Sequence, residues 1–406
     1  MIATMVPMFR DDMSVAAYCL FTLRENLFQN PHLLGTGSND GAGNLVGMEV
    51  INNLTIDGLS KDSLIIIPVN NISIFADIDG QCKGPKDRIM LMLDPSIKPD
   101  EAYTKRVLEL KKSGYKLAMK KLQCTQAEAY KGLLKNFDYL FVNCNYADPV
   151  KQAKIFNLII PGLDLGVENI KTQEQFEEIK KSGVFKIFEG EFYRLPINKH
   201  DTEVTPLKIN YMELLNIINK PDFDLTKVAD VISKDPALTI SLLNVVNKLT
   251  INSNISSIKQ ATAMLGQREL KKWLNTSIIS NLCADKPNEI TRLSLIRAKF
   301  AENLSSVFSM GMKTEQLFLM GLFSLLDYIL DEPMEQALSH VNVSKEIYDA
   351  LVNDSGDLAK VLDFQLSYEN ANWQEVSRLM VLNDIGMEVV YDAYVDALKW
   401  YKNMFM

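Results

Sequence analysis

The sequence predicts an α/β half followed by an all-helical half. Between residues 64 and 196, short β-like runs alternate with helical patterns, the signature of a parallel sheet that is either doubly wound or closed into a barrel. After Pro196 the strand signal vanishes and only helical periodicity remains. With 406 residues, 47% hydrophobic and 23% charged, the chain has apolar content enough for two or three cored domains. That composition excludes a largely disordered, collagen-like or disulfide-scaffold chain.

In the first half, strands are expected at residues 64–69 (Leu64-Ile-Ile-Ile-Pro-Val), 115–119, 138–143, 163–168 and 184–188. Helices are expected at 99–113, closed by Gly114, and 172–182, closed by Gly183, because glycine just past a periodic stretch is the usual left-handed stop. In the second half, Asp235-Pro236 starts a helix, with Asp as N-cap and Pro in the first turn. Another helix begins after Ser256-Ser257 and should end at Gly266. Further helical faces cover 289–308, 315–330, 357–368 and 388–405. The polar stretch Asn198-Lys-His-Asp-Thr-Glu-Val-Thr205 is read as a linker, which sets the domains at 1–197 and 206–406.

Charge is unevenly placed. Residues 1–200 hold 24 Lys+Arg and 24 Asp+Glu, so the second half carries the whole net charge of −8. This argues against a nucleic-acid partner, whose binding rests on a basic footprint. The five cysteines are scattered without a C-x-x-C pair, which reads as reduced intracellular thiols. The N-terminus lacks a signal-peptide pattern, and the longest apolar run, 317–326, is about half the ~20 residues of a membrane span. A cytoplasmic location without membrane insertion is expected.

Several motifs are better read as ordinary structure. The glycines at 35, 37, 41 and 43 lack both the dinucleotide spacing and a following Lys-Ser/Thr, so they suggest a surface loop. Asp77-x-Asp79-Gly80 has Gln81 and Arg88 where a calcium loop needs oxygen ligands. His32, His200 and His340 are widely separated and read as plain solvated residues. They cannot assemble a metallohydrolase that relies on several His ligands. If the first half is a barrel, its site lies at the C-terminal strand ends. There stand Asn70, Lys120-Lys121, Asn143 and Glu168. One carboxylate facing two lysines repels rather than holds a hard cation, so no metal or cofactor is expected.

Some spans resemble a known architecture. Met5-Val-Pro-Met-Phe-Arg onward, Lys98-Pro-Asp, Ser113-Gly-Tyr-Lys-Leu-Ala, Asn169-Ile-Lys-Thr-Gln-Glu and Phe188-Glu-Gly-Glu-Phe-Tyr-Arg resemble, in order, the landmarks of the EAL domain, a cyclic di-GMP phosphodiesterase barrel of TIM-like (β/α) type. Ile232-Ser-Lys-Asp-Pro-Ala-Leu, Ser257-Ile-Lys-Gln-Ala-Thr-Ala-Met-Leu-Gly and Leu270-Lys-Lys-Trp-Leu resemble the HDOD domain, an all-helical relative of HD hydrolases.

The resemblance also implies which catalytic residues are lost. The family's naming glutamate falls at Cys19, a second ligand glutamate at Met92, the metal-bridging Asp-Asp pair at Lys120-Lys121 and the catalytic lysine at Phe141. The second glutamate of a later motif falls at Lys171 and a late glutamine at Glu189; Asn70 and Glu168 are retained. The implied protein is a bacterial-type signalling pseudoenzyme with a degenerate EAL barrel and an HDOD module, acting through contact with other signalling proteins. The alternative is a metal-independent receptor for cyclic di-GMP or another anionic nucleotide, with Lys120, Lys121 and Lys171 meeting the phosphates. The family's habit of pairing through its barrel leaves a homodimer open.

Overall fold

The computed structural model describes residues 1–29, 45–56, 62–194, 206–220, 223–233, 235–249, 255–284 and 286–405. The glycine cluster at 35–43, His32, His200 and the linker at 198–205 lie outside the described residues.

Eight strands close into a barrel in sequence order: β1 (Ile2–Phe9), β2 (Val15–Leu23), β3 (Leu64–Pro68), β4 (Ile89–Leu93), β5 (Lys116–Met119), β6 (Tyr139–Asn143), β7 (Asp164–Ile170) and β8 (Phe185–Gly190). β2 to β8 run parallel to one another, whereas β1 is antiparallel to both of its neighbours. This settles the choice between an open and a closed sheet in favour of the barrel. β4, Ile-Met-Leu-Met-Leu, escaped the sequence reading because all five residues are buried and apolar, which leaves no alternation to detect.

The helices of this half are α1 (Val46–Leu54), α2 (Ile78–Gln81), α3 (Glu101–Lys112), α4 (Ala127–Leu134), α5 (Pro149–Ile159) and α6 (Gln173–Lys181). Asp100 caps α3 by accepting from the Tyr103 N–H, and Thr172 caps α6 through the Gln175 N–H. Asp148 caps α5, with Pro149 in its first turn. Gly114 and Gly183 take positive φ (99° and 66°) just past α3 and α6, as their positions predict.

The barrel interior is hydrocarbon. Met8, Ala17, Cys19, Ile66, Met90, Met92, Ala118, Phe141 and Ile187 form one buried cluster. Gly166 on β7 is what admits the Phe141 ring, since a Cβ there would collide with it. Large beside small is how side chains fill a closed barrel.

The second half contains α7 (Pro206–Ile218), α8 (Leu225–Ile232), α9 (Pro236–Leu249), α10 (Ile258–Leu282), α11 (Asn288–Val307), α12 (Thr314–Phe323), α13 (Leu326–Leu330), α14 (Met334–Ser339), α15 (Lys345–Val352), α16 (Asp357–Glu369), α17 (Trp373–Leu382) and α18 (Met387–Phe405). No helix among the described residues is long and apolar enough to cross a membrane. Asp235 accepts from the Leu238 N–H, as its place before Pro236 predicts. Gly266 kinks α10 rather than ending it: one residue at φ 71°, ψ 169° separates two helical stretches, and the helix resumes to Leu282. The helix expected over 315–330 breaks at Ser324–Leu325 into α12 and α13. Gly321 lies against the backbone of Arg297, and its missing Cβ is what permits that approach.

The contacts divide the chain differently from a simple cut near residue 200. One unit comprises 1–195, 299–314 and 361–406; the other comprises 196–298 and 315–360. The expected helical domain at 206–406 is therefore split, and its last helices belong with the barrel. Within the barrel unit the Tyr368 hydroxyl donates to the Ala3 carbonyl (2.7 Å) and accepts from the Ala3 N–H (3.3 Å). Arg194 pairs with Glu369 and bonds Asn370, while Asn26 donates to the Ser377 carbonyl. Phe300, Tyr368 and Tyr394 pack ring on ring around this clamp. In the second unit, buried Asn219 and Asn275 bond each other across α7 and α10.

Tyr368→Phe keeps the ring and removes both bonds to Ala3. It should cost about 2 kcal/mol, the usual penalty for orphaning buried backbone groups, read as a shift in the urea midpoint. A fragment ending at residue 197 lacks the clamp altogether and should show no cooperative unfolding transition.

Candidate functional site

The C-terminal ends of β5, β7 and β8, together with β2, bring one group of side chains to the barrel mouth. Lys120 follows β5, and its N–H donates to the Leu93 carbonyl. Its ammonium stands 5.7 Å from the centre of the Phe21 ring. Glu168 on β7 is only 8% exposed and is paired in register with Asn143 on β6. Glu189 on β8 accepts a hydrogen bond from the Asn169 N–H at 2.9 Å. Lys121 and Asn169 both take positive φ (58° and 64°), so the chain turns sharply beside each functional position.

Burial governs the electrostatics. Desolvation pushes the Glu168 carboxyl up to about 7; Lys120 and Lys121 oppose this, and Glu189 adds to it. Glu189 is also raised by burial, against the Asn169 N–H and Lys120. The Cys19 thiol, wholly buried inside the barrel, is pushed up to about 12, and Cys144 to about 11 by burial and Glu189. Neither thiol is a thiolate nucleophile near neutral pH.

Not every position that the sequence singles out joins this group. Asn70 turns its Oδ1 to the N–H groups of Ile72 and Ser73, both at 2.8 Å, and so fastens the turn after β3. Lys171 is exposed and is absent from the charges acting on Glu168. Met92 and Phe141 are interior packing. His340 is not simply solvated: its Nε2 lies 2.9 Å from Glu332 Oε2. The sequence reading missed Phe21, Cys144 and Asn169. Phe21 was recoverable, because residues two apart on a strand share a face and Cys19 marks that face. Asn169 acts through its backbone N–H, which no residue type signals.

The EAL resemblance implies a two-metal centre, and these side chains do not fit one. Hard divalent cations need clustered oxygen ligands, whereas the ligand positions that the resemblance assigns present a thiol, a thioether and two ammonium groups beside Asn70 and Glu168. Among the described residues no three His, Cys, Asp or Glu side chains gather to hold a metal.

The raised Glu168 pKa has a testable sign. The folded protein holds this proton more tightly than the unfolded chain, so the stability it contributes is present below about pH 4.5 and is lost as pH rises through about 7. Glu168→Gln should remove that loss. Urea unfolding should show the variant gaining on the parent between pH 4.5 and 8, by on the order of 3 kcal/mol if the site titrates alone.

The chain is similar to several known proteins. The HDOD domain family matches residues 205–344. The chain is 27% identical over 335 residues to the cyclic di-GMP phosphodiesterase CdgJ of Vibrio cholerae serotype O1, covering 78% of this chain and 74% of that protein. It is 26% identical over 363 residues to the uncharacterized protein YuxH of Bacillus subtilis, covering 87% of each. Among solved structures, a standalone EAL protein from Vibrio cholerae O395 in its c-di-GMP-bound form matches 47% of this chain and 89% of its own, at 16% identity and a TM-score of 0.34. Residues 205–344 thus match the HDOD domain family, and an eight-stranded closed barrel precedes them.

Proposed function

We propose that this chain is a cytoplasmic, non-catalytic signalling protein that acts by binding other proteins. The observation that carries this reading is the set of side chains in the barrel interior and at its rim. Phe141 occupies the interior over Gly166, and Lys120 lies by the Phe21 ring and acts electrostatically on Glu168 and Glu189. Phosphodiester hydrolysis in such a site would need a polarising cation or an activated nucleophile. The mouth offers neither a ligand set for the first nor a deprotonated thiol for the second. The Vibrio relative is named a phosphodiesterase; on this reading the present chain keeps that scaffold and has lost its chemistry.

A second reading rests on Lys120 and Lys121. Two ammonium groups at the open end of a barrel suit a phosphate as point charges, and such a receptor would need no metal.

The deciding experiment is calorimetric titration of cyclic di-GMP into the full-length protein with and without Mg²⁺, alongside a product assay. The expected result is no turnover and no heat in either condition. Micromolar or tighter binding without metal, abolished by Lys120→Ala, would replace the first reading with the receptor. Hydrolysis that follows the protein through purification and is lost in Glu168→Ala would overturn both.

A further inference from the structure

Two exposed faces of the barrel unit are opposite in charge, and each carries exposed aliphatic side chains. Helix α5 carries Lys151 and Lys154 and no acidic residue. Ile155, 40% exposed, and Leu158, 84% exposed, lie on the same face at helical spacing. Neither lysine has a carboxylate partner among the described residues. An aliphatic stripe so open to water, edged by unpaired cations, is unusual for a surface helix packed only on its own barrel.

The opposite pattern occurs at the corner between α17 and α18. Residues 381–392 contain Asp384, Glu388 and Asp392 and no lysine or arginine. Leu382 is 67% exposed, Val381 47% and Val389 49%. Glu388 and Asp392 are exposed, one turn apart on α18, and have no cationic partner among the described residues.

These two faces cannot meet within one chain. Helix α5 packs beside β6, whereas α18 packs on β1, and the two strands stand three places apart around the closed ring. Each face is therefore open to a second molecule.

We propose that the Lys151–Lys154 face of α5 docks on the acidic α17–α18 corner of a second copy of this chain. Leu158 and Ile155 meet Leu382 and Val389, while Lys154 and Lys151 meet Glu388 and Asp392. The contact is heterologous, because each copy offers both halves of it, so assembly grows head to tail into a ring or an open chain. Opposite charges set the register, and the aliphatic side chains supply the burial.

Sedimentation velocity over a dilution series, with no nucleotide present, tests this. The parent should form species larger than a dimer as concentration rises. Leu158→Glu and Glu388→Lys should each weaken association by about tenfold or more. The decisive arm mixes those two variants. One retains only the acidic corner and the other only the basic face, so together they should form a 1:1 complex that grows no further. Lys154→Glu combined with Glu388→Lys in one chain should restore assembly. Thermal melts confirm that each variant is folded, and Lys151→Glu provides a second basic-face probe. A parent that stays monomeric throughout, or assembly unaffected by Glu388→Lys, would overturn the proposal. So would a mixture of the two variants that behaves as the sum of its parts.

Discussion

A closed ring of eight strands has an interior of nearly constant width, so large side chains inside it are set beside small ones. Phe141 over Gly166 is that bargain in its clearest form here. Once Phe141, Met92, Cys19 and Ile66 have filled the interior, the barrel floor is hydrocarbon, and groups at its rim lose part of their water. Glu168 and Glu189 stand on that rim and are pushed toward their neutral forms. Lys120 remains beside them over the Phe21 ring. Interior packing and mouth electrostatics are thus one constraint seen at two depths.

The same ring explains why the chain's tail belongs to the barrel. β1 and β2 are joined by the tight turn at Arg10–Ser14 instead of a crossover helix, so no helix of a βα unit covers β1. Its register with β8 is the pair Phe9–Phe188, which leaves the Ala3 end of that edge in need of partners. Tyr368 supplies them, one phenol serving both the N–H and the carbonyl. The helices at 361–406 are therefore part of the barrel's closure, although nearly half the chain separates them from it.

The proposed binding by contact rests on surfaces such as those of α5 and the α17–α18 corner, where aliphatic side chains face outward. Asn70 holds a turn through the N–H groups of Ile72 and Ser73, a fold-holding role that needs no chemistry around it.

Much of this was legible in the chain itself. Short β-like runs set between helical patterns marked β3 and β5 to β8, glycines marked the ends of α3 and α6, and Asp235-Pro236 marked the start of α9, because each signal is local and has a stereochemical cause. Lys120-Lys121 at a strand end was equally plain. β4 was not, since a strand buried on both faces carries no period. The kink at Gly266, which the sequence reads as a stop, shows that a glycine permits a break while the packing around it decides whether the helix resumes. Tertiary structure alone decided the upward push on the Glu168 carboxyl, the partner of Glu189 and the membership of the last helices. Each depends on burial or on a group distant in sequence, as Ala3 is from Tyr368, and side-chain order along a chain does not encode which remote residue will exclude the water.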